Sequence, residues 1–89
     1  MNNNHLAEYR KEVDRLDLDL IKLFKKRFEL AIKIWEIKKP LGMKIKNSKR
    51  EKEIINGIVK RSGFDKKFVT KLYNNIFEES RKIQKNSVK

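Results

Sequence analysis

The sequence predicts an all-α protein, and three observations lead to this prediction. The 89 residues include one proline and three glycines, which is too few for the many turns of a β protein. Apolar residues recur at steps of three and four over three stretches of the chain, which is the period of a packed helix. Charged residues make up 40% of the chain and hydrophobic residues 38%, a balance typical of helices with one apolar stripe. We expect a single domain over residues 1–89.

The first predicted helix runs from about residue 5 to residue 39. Asn4 can cap its start, and Pro40 followed by Gly42 ends it. Its apolar seam consists of Leu6, Tyr9, Val13, Leu16, Leu20, Leu23, Leu30, Ile34 and Ile37. At about 1.5 Å per residue the helix is a rod of roughly 50 Å, too long for the rest of the chain to cover. We therefore expect two copies of the chain to pair along the seam as an intertwined homodimer.

The second predicted helix spans about residues 48–62. Ser48 followed by Glu51 fits a capping box, and Asn47 is an equally suitable cap. Gly63 is a natural stop. The apolar face of this helix consists of Ile54, Ile55, Ile58 and Val59.

The third predicted helix spans about residues 65–85, with Asp65 as its cap. Its apolar positions are Phe68, Val69, Leu72, Tyr73, Ile76, Phe77 and Ile83. The three helices together predict a protomer with one very long, one short and one medium helix.

The net charge of +12 favours anionic partners, such as nucleic acid, acidic protein or small anions. The absence of cysteine excludes disulfides and cysteine-based metal sites, and His5 has no second histidine as a partner. We expect no metal site. We see no signal peptide and no run of about 18 apolar residues, so we expect a cytoplasmic protein without a membrane span.

Two cations stand out on the first helix. Arg27 occupies the seam between Leu23 and Leu30, where a guanidinium must be paired or must await an anion. Lys38 follows eleven residues later, almost three turns on, with its root roughly 16 Å away along the axis. Lys38 can also be interpreted as a side chain that reaches solvent from a helix end.

Polar residues also interrupt the apolar faces of the other helices. Glu51 begins the inward face of the second helix beside Arg50, although capping alone can explain it. Ser80 and Gln84 extend the stripe of the third helix into the interior. A buried serine can bond the carbonyl four residues back, whereas a buried glutamine needs other partners.

Arg10 adjoins the seam, seventeen residues from Arg27, which is roughly 25 Å along one helix. In an antiparallel pair of copies, Arg10 of one chain can approach Arg27 of the other. These cations, with the polar residues of the other helices, predict a pocket for a small ligand with more than one carboxylate and a hydroxyl. With no cysteine or histidine nucleophile among these residues, chemistry there depends on positioning and electrostatics.

The motifs that contain these residues follow one another in a specific order and spacing. They are Tyr9-Arg10-Lys11-Glu12-Val13-Asp14-Arg15-Leu16-Asp17, Lys26-Arg27-Phe28-Glu29-Leu30-Ala31, Ile37-Lys38, Asn47-Ser48-Lys49-Arg50-Glu51, Glu79-Ser80 and Gln84. From about Leu6 to Gln84 the sequence resembles the AroQ-type, all-helical (type II) chorismate mutases. The resemblance implies an intertwined homodimer with shared active sites. It also implies the cofactor-free rearrangement of chorismate to prephenate in phenylalanine and tyrosine biosynthesis.

The resemblance also assigns roles by position. Arg10 resembles the arginine that crosses from the other subunit to a substrate carboxylate, and Arg27 the arginine that binds a carboxylate within its own subunit. Lys38 and Gln84 resemble the two residues that meet the ether oxygen of the substrate. Glu51 resembles the acid that holds the ring hydroxyl.

Three further positions are expected to bind substrate. Arg50 and Ser80 match supporting positions around the carboxylates. Asn47 stands where some relatives have aspartate near the hydroxyl, and the change removes a negative charge while keeping the ability to hydrogen-bond.

The sequence also allows three functions other than that of a chorismate mutase. A related lyase that acts on isochorismate shares the helical fold. A basic helical nucleic-acid-binding module is supported by charge alone, and the acids Glu78 and Glu79 on the third helix make it the weaker alternative. A regulatory homologue without activity is a third alternative, for which Asn47 is the one hint.

Overall fold

The computed structural model describes residues 3–87, and the regular structure in that range is helical. Helix α1 spans Asn3–Lys38 and is followed by a short 3-10 helix at Lys39–Leu41. Helix α2 spans Ser48–Ser62 and helix α3 spans Lys66–Ser87. The predicted all-α class, with a very long first helix and two shorter ones, is confirmed.

The start of α1 differs from the prediction. Helix α1 is already formed at Asn3, the first described residue, so Asn4 lies inside the helix and does not cap it. The hydrogen bonds of a helix continue through an Asn when the following residues favour helix, because the helix-propensity cost of one Asn is small. The predicted stop is correct: Gly42 takes a left-handed conformation with φ of 68°, and its N–H donates to the Lys39 carbonyl oxygen at 3.0 Å.

Side chains cap the two shorter helices. The Asn47 side-chain oxygen accepts a hydrogen bond from the Arg50 backbone N–H at 3.0 Å, which makes Asn47 the cap of α2 rather than Ser48. The Asp65 carboxylate accepts from the Phe68 backbone N–H at 3.1 Å, as predicted for α3. These bonds satisfy N–H groups that have no partner within the helix itself.

The chain divides after Leu30 into two compact units, of which the first contains most of α1. Within residues 4–30, Phe24, Arg27 and Phe28 are half-buried and the other side chains are exposed. The exposed side chains include the seam residues of this unit, from Leu6 to Leu30. Arg27 is therefore more buried than the apolar residues of the seam around it.

The second unit contains the end of α1, the 3-10 helix, the connector of residues 42–47, α2 and α3. Its core lies between α2 and α3, where Ile55, Val69 and Phe77 are buried. The partly buried side chains packed against them are Ile54, Ile58, Val59 and Tyr73. The rings of Tyr73 and Phe77 meet edge to face with centroids 5.8 Å apart. This core confirms the predicted apolar face of α2.

Ala31 near the end of α1 is also buried, whereas the seam residues Ile34 and Ile37 are exposed.

No helix within residues 3–87 is long and apolar enough to cross a membrane. The pairing of two copies along the seam stays a prediction.

Candidate active site

Gln84 is a buried amide in the second unit, with 7% of its surface exposed. Its Nε2 donates a hydrogen bond to the Ala31 carbonyl oxygen at 2.7 Å and so connects α3 to the last turns of α1. The sequence predicted that this side chain enters the interior and finds partners there, and both points are confirmed. An amide nitrogen carries two hydrogens, so the bond to Ala31 uses half of its donor capacity.

Lys38 is the last residue of α1, and its side chain is half-buried. Its Nζ donates to the carbonyl oxygen of Ile45 in the connector at 3.2 Å. The Lys38 carbonyl in turn accepts from the Met43 backbone N–H at 3.1 Å. The connector thus folds back on the lysine and fixes its ammonium group, which keeps further hydrogens for a ligand.

Glu51 lies on the first turn of α2, and its side chain is only about one-fifth exposed. Its Oε2 forms a salt bridge with the guanidinium of Arg81 on α3. A carboxylate has a second oxygen, so this pairing still leaves an acceptor for a ligand hydroxyl. The role that the resemblance assigns to Glu51 stays a prediction.

Sequence reasoning missed Arg81. A signal was present, because an acid on the inward face of α2 requires a cation on a facing element. Arg81 follows Ser80 and precedes Gln84 by three residues, which places it on nearly the same side of α3 as the glutamine. Glu51 therefore needs a cationic partner for the same reason that Arg27 needs an anionic one.

Ser80 is buried with 7% of its surface exposed, as its place on the inward stripe predicts. Among the described residues, every fully buried polar side-chain atom has a hydrogen-bond partner. Ser80 is therefore a buried polar residue whose hydrogen-bonding groups have partners.

Arg50 and Asn47 stand apart from these buried groups. Arg50 is exposed, and its guanidinium lies 3.7 Å from the Glu53 carboxylate one turn along α2. Asn47 is exposed, and its side-chain oxygen is used as the cap of α2. Neither contact brings these two side chains to Gln84 or Lys38, and their predicted binding roles remain predictions.

Arg10 and Arg27 belong to the first unit. Arg10 is exposed, whereas Arg27 is half-buried. Their predicted roles as ligands of substrate carboxylates remain predictions.

The second unit therefore contains an ammonium group, an amide and a paired carboxylate, each held by a contact to another segment of the chain. Such fixed donors can bind an oxygen atom on which negative charge develops, because they need no reorganisation during the reaction. The paired carboxylate can accept a hydrogen bond from a hydroxyl.

The comparisons with known proteins agree on one family. The sequence profile described as "Chorismate mutase type II" matches residues 9–85. This range contains each of the predicted site residues, from Arg10 to Gln84.

Relatives of two kinds are similar to this chain. A protein named chorismate mutase from Methanocaldococcus jannaschii is 35% identical over 83 residues, which cover 90% of this chain and 84% of that protein. A bifunctional chorismate mutase/prephenate dehydratase from Buchnera aphidicola subsp. Acyrthosiphon pisum is 30% identical over 90 residues, 98% of this chain and 23% of that protein. One with the same name from Aquifex aeolicus is 40% identical over 55 residues, 62% of this chain and 15% of that protein. The chain thus spans less than a quarter of the two bifunctional relatives. With a family match over most of its length, this chain belongs to the type II chorismate mutase family.

Proposed function

We propose that this chain is a chorismate mutase that converts chorismate to prephenate, in the branch that leads to phenylalanine and tyrosine. The observation that carries the proposal is the family match, which encloses all the predicted site residues. The fixed polar groups of the second unit support it, because they suit a ligand that has an ether oxygen and a hydroxyl.

The reaction is an intramolecular rearrangement in which one C–O bond breaks while one C–C bond forms. The protein needs to hold the substrate in a folded conformer and stabilise the separated charge of the transition state. Lys38 and Gln84 donate to the ether oxygen as it gains negative charge, and Glu51 accepts from the ring hydroxyl. Since the contact of Lys38 strengthens as the bond breaks, it lowers the barrier rather than only binding substrate.

The carboxylates of chorismate are bound by arginines in this proposal. Arg27 binds one within its own chain, and Arg10 reaches the other from a second copy, so the active site is shared by a homodimer. Arg50, Ser80 and Asn47 line the surroundings of the carboxylates and the hydroxyl. The support for the dimer is the apolar seam of α1, whose side chains are exposed in the single chain.

The activity is tested by adding purified protein to chorismate and following the loss of its absorbance, with the product identified by chromatography. Prephenate is the expected product. Pyruvate release in a separate assay with isochorismate, with no prephenate formed from chorismate, would favour the related lyase instead. A salt-sensitive affinity for DNA without turnover would favour the nucleic-acid-binding module.

The shared site predicts complementation between two inactive variants. Arg10→Ala and Arg27→Ala each remove one carboxylate ligand, so each homodimer is expected to lose most activity. Mixed dimers contain one site with both arginines intact, so mixing the two variants should restore part of the turnover. The measurement is the rate before and after subunit exchange, which fluorescent labels verify independently. A mixture that exchanges subunits and stays inactive would contradict the shared site.

A further inference from the structure

We infer that Arg81 is a positioning residue for the proposed reaction: it orients Glu51 and neutralises its charge, so that one carboxylate oxygen can hold the substrate hydroxyl. This inference rests on the proposed mutase function. It concerns a residue that the motifs of the sequence did not single out.

The geometry of the pair supports this role. Arg81 on α3 and Glu51 on α2 are thirty residues apart in the chain, and the guanidinium donates to Oε2 of the carboxylate. Both side chains are mostly shielded, with 21% and 20% of their surfaces exposed. A charge-assisted hydrogen bond between half-buried groups restricts both of them. The other oxygen of Glu51 is then held in a defined direction.

The electrostatics of the ligand add a second reason. Chorismate is a dianion, and an unpaired carboxylate in its binding site would repel it at short range. With Arg81 beside it, Glu51 contributes an acceptor for a hydroxyl without adding net negative charge to the site. The overall charge of +12 does not replace this local effect, because charges at a distance are screened by salt.

Arg81 lies on the stretch of α3 that also holds Ser80 and Gln84, the two residues of this helix that are proposed to bind substrate. Gln84 lies three residues after Arg81, and its amide is fixed by the Ala31 carbonyl oxygen. Because Arg81 binds Glu51 and Gln84 lies on the same helix, the Glu51 carboxylate and the Gln84 amide are both held relative to α3. A change at Arg81 is expected to act on catalysis through Glu51 and not by contact with substrate.

The test is a double-mutant cycle in the full-length protein with Arg81→Met, Glu51→Gln and the double variant. The matched control is Lys82→Met, which removes one charge from the neighbouring, exposed position of α3. We expect Arg81→Met to lower kcat/KM about tenfold or more, with an increase in KM as well as a decrease in kcat, whereas Lys82→Met leaves both near the wild-type values. In the Glu51→Gln background the Arg81→Met change should have at least about tenfold less effect, because its target is gone. Arg81→Lys should restore most of the activity, since it keeps the charge.

A parallel measurement of thermal unfolding on the same four proteins reports the salt bridge without relying on activity. Coupling between the two positions in unfolding, with additive effects on kcat/KM, would reduce the pair to a structural role and overturn the inference. Unchanged kcat/KM in Arg81→Met, with an active wild type, would overturn it as well while leaving the proposed function intact. A folded wild-type protein that does not convert chorismate would overturn the proposed function and this role together.

Discussion

Lys38 is the residue whose chemistry bears most directly on the proposed mechanism. Its ammonium group is fixed by the Ile45 carbonyl oxygen and is proposed to meet the developing charge on the ether oxygen. We expect Lys38→Ala to lower kcat about a hundredfold or more, because the removal of one such donor costs this much in other enzymes. Steady-state kinetics on chorismate provide the measurement.

The control for this variant is Lys39→Ala, one residue along. Lys39 is exposed and begins the short 3-10 helix, so its removal changes the net charge equally without touching the connector contact. Near-normal turnover in Lys38→Ala would remove the lysine from the mechanism. A comparable loss in Lys39→Ala would show that the charge of the region, and not the fixed ammonium group, is what matters.

The buried amide of Gln84 allows a prediction on stability. Gln84→Met keeps the volume of the side chain but removes the donor to Ala31, which is expected to cost about 1–3 kcal/mol in the free energy of unfolding. Asn86→Leu, the loss of an exposed amide two residues on, should have little effect. Denaturant titration at one protein concentration measures both. Equal stability of the two variants would contradict the structural role assigned to the buried amide.

The candidate site was predictable where one residue type breaks an apolar period. Gln84 and Ser80 were placed in the interior on this basis, and both are buried. Arg81 was not predicted, because its partner is thirty residues away and a periodic pattern within one helix carries no information on which residue of another helix it faces. The carbonyl oxygens of Ala31 and Ile45 were also beyond prediction, since every residue has one.

At the scale of the elements, the start of α2 depends on one side chain. Asn47→Ala removes the acceptor of the Arg50 backbone N–H and should lower the free energy of unfolding by about 1 kcal/mol. Asn47→Asp keeps an acceptor and adds charge of the favourable sign at a helix N-terminus, so it should be at least as stable as the wild type. Ser48→Ala is the matched control, because Ser48 lies inside the helix. A larger loss in Ser48→Ala than in Asn47→Ala would assign the cap to the serine instead.

The helices themselves were largely predictable, because strong local signals mark their ends. Gly42 and Gly63 take left-handed conformations that end helical segments, and Asp65 caps α3 as expected. Asn4 was expected to cap α1 but lies inside it, since the Asn-rich beginning offers several equivalent caps. The choice between Asn47 and Ser48 also needed the structure, because both residues are good caps and they are adjacent.

At the scale of the whole molecule, the exposed seam of α1 is the feature on which the proposed dimer depends. Leu16 lies in the seam and is 61% exposed, while Leu18 lies off the seam and is 63% exposed. We expect Leu16→Lys to shift the protein towards monomers and to reduce activity at the shared sites, because a buried lysine without a partner is costly. Leu18→Lys introduces the same change on the opposite side of the helix and should leave both properties near normal.

Light scattering after size-exclusion chromatography measures the mass of each variant, and turnover is measured on the same fractions. The two leucines are exposed to a similar extent in the single chain, so a difference between the variants would point to contacts between copies. A wild-type protein that elutes as an active monomer would contradict the shared site, whatever the variants do.

Helix α1 spans Asn3–Lys38, and the proposed ligands Arg10, Arg27 and Lys38 all belong to it. If Arg10 serves the site of a second copy, then every complete site comes from an encounter between two chains, and the number of sites obeys mass action. Activity per chain would then fall on dilution below the dissociation constant of the dimer and recover on concentration. In the cell, the rate of this step would then rise more than proportionally with the concentration of the protein.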